Sequence, residues 1–354
     1  MPASFVHQAF SMPLLQWFDQ HGRKDLPWQK PSSAYRVWVS EIMLQQTQVK
    51  TVIPYYLHFL NRFPDIFTLA QADEDTVLAH WSGLGYYSRA RNLHKTAKII
   101  HTELKGEFPH DLQQLVKLPG IGATTAAAIA SLAFNKPTAI LDGNVKRVLS
   151  RYFLVDGPPQ QALVNKKLWD YARLCMPEQR CRDYTQAIMD LGATCCTTKN
   201  PHCTQCPLQL GCLAKLKNKV QDYPNKKLKK TIPTQHLQFL VLHTSDQLIY
   251  LEKRPPTGIW GGLWCLPNIE ITACPKTYIH SRYQLKTQNT QALITFKHSF
   301  THYHLHIKAV ALQTSTNVSS MSEAKGRWFT AHELPLLGLA KPISKILHQF
   351  YNTI

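Results

Sequence analysis

Four cysteines with the spacing Cys196-x6-Cys203-x2-Cys206-x5-Cys212 gather four thiolates in one short loop, close enough to ligate one metal centre. Zinc ribbons usually carry two Cys-x2-Cys pairs and only one is present here. The common ferredoxin spacings do not match either, so the spacing gives a four-thiolate site without naming its metal. Cys195 stands beside Cys196 and is an alternative ligand in its place. Cys175, Cys181, Cys265 and Cys274 read as ordinary buried or free thiols. Nine cysteines, five of them between Cys195 and Cys212, make an awkward disulfide framework and imply a reducing compartment.

A different chemistry is offered by Glu41. It lies in an otherwise largely uncharged, apolar helical stretch near Trp38 and Ile42. Partial desolvation there would raise its pKa and keep it protonated near neutrality, as a general acid requires. Most helical glutamates are merely solvated, so the residue alone does not establish the role. Asp142 opens a helix after Leu141, where the commoner use of Asp is an N-cap. Leu118-Pro119-Gly120-Ile121-Gly122 precedes an Ala-rich helix expected to start at Thr124 or Thr125. Such a turn can point free backbone N–H groups at a phosphate, although a plain helix start is the commoner reading of this motif by itself.

Around these residues the chain is basic: 40 Lys and Arg against 22 Asp and Glu, a formal charge of +18. Residues 1–235 carry 29 basic and 17 acidic side chains, and residues 236–354 carry 11 and 5. Both halves therefore suit a polyanion, nucleic acid first among them. The N-terminus lacks a basic start followed by an apolar core and does not read as a secretory signal. The longest apolar stretch, Ala126 to Phe134, is too short to cross a bilayer and reads as a buried helix.

At 354 residues two domains are expected. From Leu14 to Leu216 apolar residues recur at three and four, as in Val77, Leu78, Trp81 and Leu84, which predicts a mostly α domain. Seven Lys and one Asp between Lys215 and Lys230, with Tyr223-Pro224-Asn225 among them, read as a linker. Short apolar runs follow at Phe239 to Leu242 and Leu248 to Leu251, then an alternating stretch from Phe296 to Leu312, so the second domain is β-rich. The expected fold class is multidomain: an all-α domain at 1–214, a basic linker at 215–235, and an α+β domain at 236–354. No tandem repeat is present.

The Leu-Pro-Gly-Ile-Gly hairpin, Leu141-Asp142-Gly143-Asn144-Val145-Lys146-Arg147 and the cysteine loop, in that order, resemble the helix-hairpin-helix DNA glycosylases of the iron-sulfur branch. Within that branch, Trp38-Val39-Ser40-Glu41-Ile42-Met43-Leu44-Gln45-Gln46-Thr47-Gln48 and Gly83-Leu84-Gly85-Tyr86-Tyr87-Ser88-Arg89-Ala90-Arg91-Asn92 are similar to the MutY-type adenine glycosylases. The likeness runs nearly the whole chain. It implies a [4Fe-4S] cluster on Cys196, Cys203, Cys206 and Cys212, and removal of adenine mispaired with 8-oxoguanine or guanine in double-stranded DNA. It also implies a monomer in the bacterial cytoplasm, associated with the nucleoid and not with a membrane.

The chemistry such a family performs suits the two acids. Adenine leaves a sugar poorly as an anion, so cleaving its N-glycosidic bond needs a proton on the base and stabilisation of an oxocarbenium-like sugar. By resemblance Glu41 protonates adenine and then assists water, Asp142 stabilises the sugar cation, and Asn144 lies beside it. Where endonuclease III-like relatives carry an attacking Lys, this chain has Thr124, whose hydroxyl cannot form a Schiff base. The resemblance therefore implies a monofunctional enzyme leaving an abasic site, although Lys146 is close to Asp142 in sequence. Gly120 and Gly122 belong to the phosphate-holding hairpin. Gln46, Thr47, Leu84 and Tyr86 match positions that wedge into the duplex or contact the opposing base once adenine is flipped out. Gly83 and Gly85 suggest an exposed loop for the last two.

Gly258 to Pro267 resembles the Nudix-like domain that MutY proteins place after their linker. A working Nudix hydrolase needs a run of metal-binding Glu, yet only Glu270 follows before Arg282, so this domain reads as a recognition module. The segment His298 to His306 is expected as one alternating strand with four His and Phe300 on one face. Phe300-Thr301-His302 matches the family's Phe-Ser-His loop, which reads 8-oxoguanine, with Thr in place of Ser. The rival functions are an endonuclease III-like lyase, which Thr124 and the second domain oppose, and a non-enzymatic cluster-bearing DNA-binding protein. A nucleotide pyrophosphatase lacks its metal-binding acids.

Overall fold

The computed structural model describes residues 6–227, 231–314 and 326–353. In chain order its helices are α1 (Met12–His21), α2 (Ala34–Leu44), α3 (Val49–Arg62), α4 (Ile66–Gln71), α5 (Glu74–His80), α6 (Ser88–Glu103), α7 (Leu112–Lys117), α8 (Ala123–Phe134), α9 (Gly143–Tyr152), α10 (Ala162–Cys175), α11 (Cys181–Asp190) and α12 (Leu213–Leu216). Seven strands follow, β1 (Thr234–His243), β2 (Ile249–Lys253), β3 (Trp264–Cys265), β4 (Asn268–Glu270), β5 (Thr287–Ser299), β6 (His304–Thr314) and β7 (Gly326–Phe329), with α13 (Pro275–Tyr283) and α14 (Lys341–Thr353). The chain forms two compact units, Met1–Ala70 with Lys95–Lys229, and Gln71–His94 with Lys230–Ile354.

In the first unit α8 is central because its residues are small. Thr125 to Leu132 are all buried, and the alanines let α2, α7 and α11 pack closely against it. Its two buried hydroxyls are both matched: Ser131 to Cys181 O at 2.9 Å and Thr185 Oγ1 at 2.7 Å, and Thr125 Oγ1 to Gln45 Nε2 at 3.3 Å. The helix begins at Ala123 with Gly122 as its N-cap, a residue ahead of the sequence expectation. α2 is apolar nearly all round: Ser33 caps it, and Tyr35 and Val37 to Ser40 are buried together with Ile42 and Met43. Glu41 is thus a carboxyl on a helix otherwise committed to the core.

The stretch expected as a linker is in part folded onto this unit. Tyr223 is buried, its hydroxyl donates to Asp156, and its carbonyl accepts from Arg151 Nε at 2.9 Å.

In the second unit the strand order is β3-β2-β1-β6-β5, with β4 added to β1 and β7 to β2. β1 and β6 run parallel along their full length, from Thr234↔His304 to His243↔Gln313. Both faces of β1 are buried at Phe239 to Leu242, which is why that run reads as continuously apolar. α13 inserts Ile279 into one face beside Leu240, Leu242, Val310 and Leu312, and α14 buries Ile343, Ile346, Leu347 and Phe350. The segment 71–94 is held here by Tyr87 Oη and Ser82 Oγ, which donate to Leu339 O at 3.1 and 2.7 Å, and by Asp75, which pairs with Lys253 at 2.7 Å.

One expectation is corrected. His298 to His306 is not a single strand: β5 ends at Ser299, β6 begins at His304, and Phe300 N donates to Tyr303 O at 2.9 Å across a tight turn. Ser299 pairs with His304 and His298 with Leu305, so the histidines are divided between two antiparallel strands and their turn. Among the described residues no helix is long and apolar enough to cross a membrane.

Replacing Ala128, fully buried in α8, by Leu should destabilise the protein by roughly 1–3 kcal/mol through overpacking. Urea denaturation measures it; a midpoint unchanged from wild type would show that the core has room to spare.

Candidate active site

Glu41, Gln46, Thr47, Thr124, Asp142 and Asn144 line a single cleft in the helical unit, together with Lys146 and Arg147. Six of the residues singled out from sequence are therefore brought together. Glu41 retains only partial solvent contact. Burial pushes its carboxyl up to about 8, with a smaller push from the negative charge of Asp142. At neutral pH Glu41 is protonated and can give a proton to a bound base.

Asp142 is positioned by a cap. Its Oδ1 accepts from Val145 N at 2.8 Å at the start of α9, so the N-cap is also a residue that lines the cleft. Burial raises its pKa, opposed by the Val145 amide and the Arg147 charge. Asn144 Oδ1 accepts from Arg147 Nη2 at 2.8 Å. A Cβ at Gly192 would lie 2.5 Å from Asn144 Cβ, which makes that glycine part of the site's wall.

Sequence reasoning missed the arginines that hold this arrangement. Arg147 donates to Gly192 O at 2.7 Å and to Cys196 O at 2.8 Å. One turn along α9, Arg151 donates to Thr197 O at 2.7 Å and to Cys196 Sγ at 3.3 Å. Their i, i+4 spacing places both on one face of the helix, but carbonyl acceptors leave no mark in a sequence. At the cleft's edge Arg23 grips the buried Asp190 with Nε at 2.9 Å and Nη2 at 2.6 Å. Gln186 donates to the same carboxylate at 2.8 Å.

Cys196, Cys203, Cys206 and Cys212 line one small pocket with Cys195 and Arg151. Among the described residues no three His, Cys, Asp or Glu side chains are arranged to hold a single metal ion. The donor set does fit a thiolate-bound group: five thiols share the pocket, with a guanidinium donating to one sulfur and Lys215 beside it. Cys195 is buried, and its sulfur points a hydrogen bond at His202 O, 3.4 Å away.

The hairpin glycines form an exposed turn directly before a helix. Gly120 takes a φ of +78°, Ile121 N closes the turn on Leu118 O at 3.1 Å, and both Gly120 and Gly122 are exposed ahead of α8. An exposed helix start of this kind is able to bind an anion through its backbone N–H groups.

The second unit has its own pocket, lined by Tyr86, Trp260, Phe300, Thr301 and His302. Tyr86 is 42 % exposed, whereas Leu84 is only 7 % exposed. The exposed-loop expectation therefore holds for Tyr86 and is corrected for Leu84: its neighbours Gly83 and Gly85 turn the backbone with φ of +98° and +74° and send that side chain into the core. Trp260, which sequence reasoning did not select, stands 5.7 Å from the Phe300 ring and 6.2 Å from His298. Arg91 holds the loop beneath it, donating to Pro256 O at 2.8 Å and to Gly261 O.

The folded chain keeps the Glu41 proton up to about 8, while the unfolded chain releases it in the ordinary Glu range. The folded state therefore binds more protons across that window, and stability falls as pH rises through it. Glu41→Gln should remove this loss, so thermal melting of the variant and wild type should diverge in the variant's favour between about pH 5 and about pH 8. Parallel melting curves would show that Glu41 is not desolvated.

Comparison with known proteins agrees with these features. Residues 39–173 match the family model of the HhH-GPD superfamily base excision DNA repair proteins, and residues 238–349 match the NUDIX domain. The adenine DNA glycosylase of Buchnera aphidicola subsp. Schizaphis graminum is 41 % identical over 342 residues, covering 96 % of this chain and 98 % of that protein. The human adenine DNA glycosylase is 32 % identical, covering 97 % of this chain and 74 % of that protein. A solved thermostable thymine-DNA glycosylase superposes with a TM-score of 0.55 at 27 % identity, over 60 % of this chain and 98 % of that one. An endonuclease III solved with DNA shares the fold, with a TM-score of 0.51 at 19 % identity over 62 % of this chain and 98 % of that one. A helical HhH-GPD region carrying an acid-lined cleft, followed by a Nudix-like sheet, places this chain in the adenine DNA glycosylase family.

Proposed function

We propose that this protein hydrolyses the N-glycosidic bond of adenine paired with 8-oxoguanine or guanine in duplex DNA and leaves an abasic site. The observation that carries the reading is Glu41, protonated at neutral pH and facing Asp142 in one cleft. Glu41 gives its proton to a ring nitrogen of the flipped adenine, so the base leaves neutral. Asp142, fixed by the Val145 amide, faces the positive charge developing on the sugar. The Glu41 carboxylate formed in that step then takes a proton from the attacking water. Thr124, whose hydroxyl lies 3.4 Å from Leu141 O, offers no amine for a Schiff base, so strand cleavage is not part of the reaction. Lys146 lines the cleft as well and is the residue to watch for residual lyase chemistry.

Cys196, Cys203, Cys206 and Cys212 would hold a [4Fe-4S] cluster. When bound, it links four points of the loop as a rigid, structural staple. The Arg147 and Arg151 contacts to this loop need no cluster chemistry to align it with α9. The Tyr86, Phe300, Thr301 and His302 pocket would read the base opposite adenine, with the Thr301 hydroxyl and His302 imidazole as its polar groups. Residues 1–214 would serve as the glycosylase domain and 236–354 as the recognition domain, acting as a monomer on chromosomal DNA in the bacterial cytoplasm.

A glycosylase assay on duplexes holding 8-oxoguanine:A, G:A and thymine glycol tests the proposal. Adenine should be released from the first two without strand scission before alkali, and Glu41→Gln should slow release by roughly 10²–10⁴-fold while still binding the duplex. Activity confined to thymine glycol would overturn the reading. Thr301→Ala with His302→Ala should narrow the preference for 8-oxoguanine:A over G:A by about tenfold through lost hydrogen bonds; an undiminished preference would remove the lesion-reading role from that turn.

A further inference from the structure

One thiol in the cysteine pocket is surplus to a four-thiolate centre. Cys195 lines that pocket together with Cys196, Cys203, Cys206 and Cys212, and the proposed chemistry gives it no part. It ends a single π-helical turn, Leu191–Cys195, closed by Cys196 N donating to Leu191 O at 2.7 Å. Turns of this kind are frequent at functional sites. This one carries Cys195 inward, where it is 6 % exposed, while Cys196 next to it is only half-buried.

The residue is pinned through its backbone and its sulfur faces another. His202 N donates to Cys195 O at 3.0 Å, and the Cys195 thiol points back at His202 O, 3.4 Å away. A thiol is a weak donor, so this second contact holds the sulfur only loosely. The same thiol is in hydrogen-bonding contact with that of Cys206. The Cys196 sulfur is engaged instead by Arg151 Nη1 at 3.3 Å, and the Cys212 thiol is directed at Arg151 O, 3.6 Å away. The expectation that Cys195 stands in for Cys196 therefore moves to Cys206. In a four-iron cluster each cysteine sulfur binds its own corner iron, and the four point away from a common centre. Two sulfurs in contact thus address one corner rather than two.

We propose that Cys195 is a reserve ligand for the iron that Cys206 holds, taking its place when the Cys206 sulfur is removed or blocked. The inference rests on the cluster proposed for Cys196, Cys203, Cys206 and Cys212. In the exchange the Cys195 thiol gives its proton to solvent and an Fe–Sγ bond to Cys195 replaces the one to Cys206. No electron moves. Cys206 is half-buried and Cys195 buried, so the reserve sulfur is the better shielded of the two from reagents in solution.

Iron and acid-labile sulfide per chain, measured on the full chain purified without oxygen, test the proposal, with circular dichroism reporting the fold. Cys206→Ala should retain about four irons per chain, whereas Cys195→Ala with Cys206→Ala should fall to about three or fewer. Cys181→Ala with Cys206→Ala should match Cys206→Ala, because the Cys181 thiol is turned to Pro177 O, 3.4 Å away. Cys212→Ala alone should lose iron, since the reserve sulfur serves another corner. Cys206→Ser, closer to cysteine in size, is measured beside Cys206→Ala. Iron that drops in both to the level of the Cys195→Ala, Cys206→Ala pair overturns the reserve role. So does a three-iron signal in their electron paramagnetic resonance, failure of both to fold, or full iron content in that pair. Wild-type chain that binds no iron overturns the proposed cluster and this inference with it.

Discussion

One helix, α9, ties the chemistry of the first unit together. Asp142 caps it, Asn144 stands in its first turn, and Arg147 and Arg151 reach from its side to the carbonyls of Gly192, Cys196 and Thr197. A guanidinium offers five donors in a rigid fork, so two arginines can satisfy several carbonyls between Gly192 and Thr197. The cysteine loop and the carboxylate are thereby parts of one rigid body. Anything that loosens the loop moves Asp142 through α9.

The second requirement is a proton held where water would remove it. α2 is buried almost all round, and the price of placing Glu41 there is a carboxyl that stays neutral up to about 8. The charge of the neighbouring Asp142 adds to that shift, while burial raises Asp142 as well against the Val145 amide and the Arg147 charge. The pocket of the second unit has the opposite surroundings. Tyr86, Thr301 and His302 are exposed, and Trp260, on a loop that Arg91 holds through Pro256 O, gives that pocket an aromatic side.

Much of this was legible in the residues. Period-three and period-four apolar spacing marked the helical part, and the runs at Phe239 to Leu242 and Leu248 to Leu251 marked β1 and β2 because both faces of the sheet are covered. Glu41 stood out as a charge in an apolar helix. What could not be read has physical reasons. The turn at Phe300 to Tyr303 contains no Gly, Pro, Asn or Asp, and its Phe, Thr, His and Tyr are residues that strands favour. Leu84 goes inward because of the backbone turn at its two glycines, which composition alone shows only as a loop. Arg147 and Arg151 act on carbonyls remote in sequence, and the grouping of residues 71–94 with the sheet rests on side-chain bonds to Leu339 and Lys253 that no local pattern encodes.

The central claim is that a neutral Glu41 supplies the proton on which base release depends. Single-turnover release of adenine from an 8-oxoguanine:A duplex, measured against pH, tests it most directly. The rate should hold near neutrality and fall about tenfold per pH unit above about 8 as Glu41 ionises. A rate that stays level or rises through that range would contradict the account.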